Sequence, residues 1–175
     1  GALNDGWRIC NGALAHERAM LWVVWSQSLD NMLDDALAEL DGTPHADDDV
    51  VLDQLGRSIM DSHAIRLLGH RQLAKQQRGL VPAEQSILKL MGSEAQQDLA
   101  ALMLESLGAS ALDQTVDSTL RFPYETDRGA VSWSDRYLFT FAGTISGGTS
   151  EIQRNLVGER TLDLPREPRL PRRTG

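Results

Sequence analysis

Residues 147–155 read GGTSEIQRN: two glycines, a Thr-Ser pair, a carboxylate, and then an apolar-polar helical pattern. Gly147 and Gly148 permit backbone angles that a Cβ blocks, and they let another group approach the chain closely. Ser150 followed three residues later by Gln153 fits a capping box, so a helix is expected to start here. The first N–H groups of a helix lack internal partners and carry partial positive charge, which suits an anion or a polarised carbonyl. Local physics leaves two readings open, an ordinary capped helix start or a seat for such a group. Other chemistry-bearing residues point nowhere as specific. Ser26 and Ser28 lack a nucleophile-elbow context. The four histidines show no metal-ligand spacing, so no metal site is expected. His63 falls on an apolar stripe and reads as a core histidine, and Trp22 and Trp25 read as packing residues.

The elements that position this stretch are helical. Leu21, Trp25, Leu29, Met32, Ala36 and Leu40 recur at steps of three and four, which predicts one long helix from about Gly6 to just before Asp41. Asp47, Asp48 and Asp49 place negative charge where the dipole of a second helix favours it. The stripe expected for that helix is Leu52, Leu55, Ile59, His63 and Leu67, with its stop at Gly79. Pro82 fits the first position of a third helix. Ile87, Met91, Ala95, Leu99 and Leu102 make its stripe, and Gly108 its end. Ala109 to Ser132 reads as loop. Ser132 then caps a short helix carrying Trp133, Tyr137 and Phe141. A last helix runs from the opening stretch to about Leu162, and residues 163–175 form an irregular tail with Pro165, Pro168 and Pro171. No segment reads as a strand and no internal repeat is present. The expected fold is all-α, an antiparallel helical bundle over residues 1–162.

Composition narrows the function classes. The 175 residues suit one domain or part of a larger protein, and 41% hydrophobic content supports a core. A net charge of −8 argues against nucleic acid as a partner. No run is long and apolar enough to span a bilayer. Cys10, alone, forms no intramolecular disulfide, which fits a reducing, cytoplasmic setting. The chain begins with Gly1 and not Met, which reads as a processed chain or an excised piece.

The wider string GGTSEIQRNLVGERTLDLPRE resembles the C-terminal signature of the acyl-CoA dehydrogenases, flavoproteins that desaturate acyl-CoA thioesters. NDGWRICNGALAHERAM resembles the start of the first helix in that family's C-terminal domain. DDDVVLDQLGRSIMDSHAIRLLGHRQLA and VPAEQSILKLMGSEAQQDLAALMLESLG resemble the next two, in the same order. The likeness covers nearly the whole chain but only the C-terminal helical domain. The family's N-terminal helical domain and middle β-domain would be further parts of the same enzyme.

The resemblance implies an FAD cofactor, an acyl-CoA substrate and a homo- or hetero-oligomer, dimer or tetramer. In many members the catalytic base is a Glu directly before the Gly-Thr of the signature, and here that position is Gly147. Other members carry the base on the first helix, in a string resembling LxxER. This chain has LAHER, Leu14 to Arg18, so Glu17 is the expected base, with Leu14, Arg18, Gly147 and Gly148 at the substrate. Burial in a substrate pocket would raise the pKa of such a base, which suits proton abstraction. Thr149 and Glu151 are expected on the flavin. The family's neighbour-facing flavin contacts, Arg-x-x-Phe and Gln-x-x-Gly-Gly, correspond here to Thr43 and Ala46 and to the stretch Glu105 to Ala109. A carboxylate replacing an amide there repels a pyrophosphate. Three arrangements follow: a catalytic subunit whose partner supplies those contacts, a non-catalytic structural subunit, or a homo-oligomer with altered flavin contacts. The glycine at the usual base position is similar to members that act on bulky acyl chains, such as sterol side chains.

Overall fold

The computed structural model describes residues 2–80, 84–112 and 132–166, and within the first helix the side chains of residues 11 and 14–19 stand outside that description. The described residues form five α-helices, α1 (Gly6–Leu40), α2 (Asp49–Gln77), α3 (Gln85–Leu107), α4 (Trp133–Ile145) and α5 (Ser150–Arg160), with 3₁₀ turns at Pro44–Asp47 and Gly108–Leu112. No strand occurs among them. The expected Pro82 start of α3, most of the loop expected before Ser132, and the tail beyond Arg166 lie outside the described residues.

Contacts between the helices fix their directions. Trp22 of α1 meets Gly69 of α2, and further along α1 Asp30 accepts a hydrogen bond from Ser62. One index rises as the other falls, so α1 and α2 are antiparallel. Lys75 pairs with Glu84 just before α3, while Gln54 and Arg57 share a groove with Leu102 and Glu105, so α2 and α3 are antiparallel too. Trp133 Nε1 donates to Glu39 at 2.8 Å, and Arg136, lying over the Trp133 ring at 4.6 Å, pairs with Asp35. That runs α4 against α1. The four helices form an up-down-up-down bundle, and α3 is its hub, touching all the others.

The core uses the expected α1 stripe and, from the expected α3 stripe, Ala95, Leu99 and Leu102; Ile87 and Met91 are only half-buried, and Leu88, Ala100 and Met103 take the seam beside them. Leu29, Ala36, Leu88, Ala100 and Met103 are wholly enclosed, with Ile65 from α2. Each buried Leu or Ile of this kind contributes about 1.5–3 kcal/mol of transfer free energy. Caps end the helices as their residue types require. Asp48 accepts from Val50 N–H at the start of α2 (2.8 Å), and Ser132 accepts from Asp135 N–H at the start of α4 (3.1 Å).

The α2 stripe departs from expectation. Its buried residues are Val51, Leu55, Ser58, Ser62, Ile65, Gly69 and Gln72, whereas Leu52, Ile59, His63 and Leu67 are exposed. His63 is therefore not a core histidine. The reason lies in α1. Trp22 is so large that α2 must present a small residue to it, and Gly69 is the notch in which its ring sits, as Gly92 of α3 is for Trp25. Apolar size alone then misidentifies the seam of α2. At the other end α1 leaves the bundle: from Gly6 to Met20 no described side chain is buried, and Trp7 is 77% exposed.

Candidate functional site

The entrance to α5 is built from five consecutive residues. After α4 ends at Ile145, Ser146 is extended, and Gly147 and Gly148 take φ values of 66° and 107°, both in the region that favours glycine. Thr149 returns to extended geometry and is the N-cap, its hydroxyl accepting from Ile152 N–H at 3.4 Å. Ser150, expected as the cap, is instead the first helical residue. Gln153 does not close a capping box either. Its side chain runs back past the helix start, and Nε2 donates to the carbonyls of Gly147 (3.0 Å) and Gly148 (3.5 Å). A Cβ on Gly148 would lie 2.7 Å from that nitrogen, so the second glycine is fixed by contact as well as by φ. A Cβ on Gly147 would meet nothing within 4 Å, so only its φ selects glycine.

The electrostatics favour a negative or carbonyl partner. Among the described residues the N–H groups of Gly147, Gly148, Thr149 and Ser150 find no acceptor. Glu151 is exposed and its pKa is lowered, first by its own backbone N–H and then by Thr149. The same N–H field that stabilises this carboxylate is open to a ligand oxygen.

Gly147, Gly148, Thr149 and Glu151 are thus brought together. Leu14, Glu17 and Arg18 stand on the N-terminal half of α1, before Trp22, the first residue of α1 described as buried; their side chains lie outside the described residues.

The positions corresponding to the neighbour-facing motifs are occupied differently. Thr43 turns inward, its hydroxyl donating to Leu40 C=O at 2.7 Å, and its own carbonyl accepts from Ala46 N–H at 3.1 Å. Glu105 lines a groove of ≈ 590 Å³ between α2 and α3, together with Asp61 and Asp98. Burial raises the pKa of Asp61. Burial also raises that of Asp98, with further contributions from the charges of Glu94 and Asp61. Three carboxylates converge on one groove, which makes it a poor seat for a diphosphate. The juxtaposition of Asp61 and Asp98 is invisible in the sequence because it depends on the register of α2 against α3. No three His, Cys, Asp or Glu side chains among the described residues stand close enough to hold a metal, and no described helix is long and apolar enough to cross a membrane.

Comparison with known proteins agrees with this architecture. Residues 4–162 match the family model of the acyl-CoA dehydrogenase C-terminal domain. The chain is 31% identical over 173 residues to acyl-CoA dehydrogenase IpdE1 of Mycobacterium tuberculosis, an alignment covering 95% of this chain and 40% of that protein. Among solved structures, the Tcur3481-Tcur3483 steroid ACAD superposes with a TM-score of 0.72 at 22% identity, over 95% of this chain and 42% of that one. The ChsE4-ChsE5 complex from Mycobacterium tuberculosis superposes with a TM-score of 0.66 at 27% identity, over 96% and 42%. The chain spans about two fifths of the length of these relatives.

Proposed function

The chain belongs to the acyl-CoA dehydrogenase family, with the fold of its C-terminal domain, and from that premise we propose that it serves the α,β-desaturation of an acyl-CoA thioester. Residues 1–162 act as the bundle domain of a larger enzyme, residues 163–175 as its tail, and Glu17 as the base. The observation that carries this reading is the α5 entrance, a rigid glycine turn with unpaired N–H donors in a chain that lacks a carboxylate at Gly147. The N-terminal half of α1 supports it, since the described side chains on either side of Glu17, Trp7, Ile9 and Met20 among them, are exposed and open to enclosure by the rest of the enzyme.

In this mechanism Glu17 removes the α-proton, and the N–H groups at the start of α5 stabilise the charge that develops on the thioester oxygen. Thr149 and Glu151 border the cofactor, and Leu14, Arg18, Gly147 and Gly148 border the substrate. FAD held beside Thr149 and Glu151 would supply the hydride acceptor that desaturation needs.

The α2–α3 groove favours a heteromer. Glu105, Asp61 and Asp98 disfavour a neighbour's flavin diphosphate there, so each flavin site draws its second half from a partner chain of different sequence. The same groove is the one observation favouring the rival reading, a structural subunit without turnover of its own. Glu17→Gln in the assembled enzyme separates the two. As the loss of a general base, it is expected to slow anaerobic flavin bleaching by acyl-CoA ~10²–10⁴-fold, with flavin content unchanged. Bleaching at the unmodified rate would remove Glu17 from catalysis and leave the structural reading.

A further inference from the structure

We infer that Gln153 is a positioning residue: its buried amide holds the carbonyls of Gly147 and Gly148 inward and thereby aims the N–H groups of Gly148 and Thr149 outward, at the reacting groups. This rests on the desaturase reading of the α5 entrance and adds a residue that touches neither substrate nor cofactor.

The geometry begins with side-chain direction. In an α-helix the Cα–Cβ bond tilts toward the N-terminus, so a long side chain in the first turn of α5 reaches back over the segment that precedes it. Gln153 does so while wholly enclosed, at 0% exposure. Its Nε2 carries two hydrogens and has two acceptors, the carbonyls of Gly147 and Gly148. No peptide here is cis. Across a trans peptide the carbonyl and the following N–H point in opposite directions. A carbonyl of Gly147 held toward the buried amide therefore turns the N–H of Gly148 away from it, and the carbonyl of Gly148 does the same for the N–H of Thr149. One side chain orients two consecutive donors.

Two features separate this from ordinary packing. Consecutive glycines have more accessible backbone conformations than any other pair, so without a restraint the turn samples other directions. The Gln153 amide supplies that restraint, and the side chains that would meet a Cβ on Gly148 are those of Gln153 and Ile152. The second feature is the other end of the amide. Oε1 is buried without a hydrogen-bond partner among the described residues, an arrangement that costs stability and that an apolar side chain of the same length would avoid. A glutamine here fits the work of its nitrogen better than it fits the needs of the core.

The test is Gln153→Met, which keeps the length and removes both donor and orphan acceptor. In the 175-residue chain, urea unfolding is expected to show stability retained or increased, while amide hydrogen exchange accelerates locally over residues 147–152. In the assembled flavoenzyme, flavin content and acyl-CoA affinity are expected to persist while the rate of anaerobic flavin bleaching falls ~10²-fold, the loss typical of misplaced oxyanion donors. Gly148→Ala attacks the same contact from the other side by driving a methyl against Nε2 at a φ of 107° that disfavours any Cβ; it is expected to lower stability, while exchange over residues 147–152 accelerates and bleaching slows as in Gln153→Met. Unchanged exchange over residues 147–152 in both variants, or a bleaching rate that stays at the unmodified value in both, overturns the proposal. If Glu17→Gln abolishes bleaching but Gln153→Met leaves it untouched, the latch alone is wrong. If Glu17→Gln has no effect, the desaturase reading is what fails, and the exchange experiment still decides whether Gln153 holds the turn.

Discussion

Gly69→Ala is the sharpest test of how α1 is seated. A Cβ on Gly69 would lie 2.1 Å from Cδ2 and 2.4 Å from Cε3 of Trp22, where ordinary contact begins at 3.4 Å. The ring or the helix must therefore shift by 1.3 Å (3.4 − 2.1). Trp22 has little room to do so, being 8% exposed and packed at 5.0 Å against the His70 ring. Overpacking of a tight core costs about 1–3 kcal/mol, and a clash this deep belongs at the upper end. Alanine is the better helix former by about 1 kcal/mol, which offsets part of that. The net expectation is a loss of about 2 kcal/mol, or roughly 4–8 °C in Tm for a chain of this size.

Gly56 supplies the control on the same helix. A Cβ there meets nothing within 4 Å, so Gly56→Ala is expected to gain about 1 kcal/mol from propensity alone. Urea and thermal unfolding of the 175-residue chain, followed by circular dichroism, give both numbers. Trp22→Leu should relieve the clash, so Gly69→Ala costs less in that background, a coupling visible in a double-mutant cycle. If Gly69→Ala stabilises the chain as much as Gly56→Ala does, Trp22 does not occupy the notch and α1 is seated differently on α2.

The remaining expectations concern charge and cofactor. Asp98 has a raised pKa in the folded chain, from burial and then from Glu94 and Asp61, so its folded form holds its proton more tightly than the unfolded one. Its ionisation therefore weakens the fold as pH rises through the raised value. Asp98→Asn is expected to raise Tm at neutral pH, with the gain vanishing below about pH 4, where the unfolded carboxyl is also protonated. Glu84 has the opposite sign: burial pushes its pKa up, but hydrogen bonds from Lys75 and its own backbone, with the charges of Lys75 and Arg71, lower it overall. Its contribution is present above the ordinary Glu range and is lost as pH falls through the lowered value, so Glu84→Gln flattens the acid limb of a Tm-versus-pH curve. The 175-residue chain alone is expected to come off a desalting column without stoichiometric flavin; a yellow preparation at one FAD per chain refutes the two-chain site.

What the sequence made legible follows from residue size. The α1 seam is written in Leu, Met and Trp and reads correctly, whereas on α3 Ala95, Leu99 and Leu102 read correctly but the seam passes through Leu88, Ala100 and Met103 in place of the expected Ile87 and Met91. The α2 seam includes Ser58, Ser62 and Gly69: Gly69 receives the Trp22 indole, Ser62 donates to Asp30 of α1, and no scale of hydrophobicity marks serine as interior. Leu52, Ile59 and Leu67 then claim a face that turns outward. At the site, the glycine pair, Thr149 and Glu151 stand out in sequence, whereas Gln153 looks like half of a capping box. Its real partners are carbonyls outside the helix, and a periodic pattern carries no information about a chain that folds back on its own start.

The two halves of the proposed site are coupled through α3. Glu17 rides on α1, whose register is set where Trp25 sits in the notch at Gly92; the Gln96 amide donates to the carbonyl of Trp25 at the same level, 3.5 Å away. The α5 entrance rides on the same hub, tied by Arg154 to Glu94 at 2.7 Å, two residues from Gly92. Base and donors are therefore referred to one short stretch of α3, residues 92–96, although neither lies on it. Helices transmit displacement along their axes with little loss, so a shift of α1 at Trp25 appears at Glu17, about two turns away, without a comparable shift at α5. A methyl at Gly92, 2.6 Å from the Trp25 ring, forces such a shift, about 0.8 Å by the same arithmetic. Misplacement on the order of 1 Å costs about 10²-fold in a proton transfer that depends on alignment. On the proposed assignment, one stretch of α3 that carries neither group thereby sets the distance between base and donors.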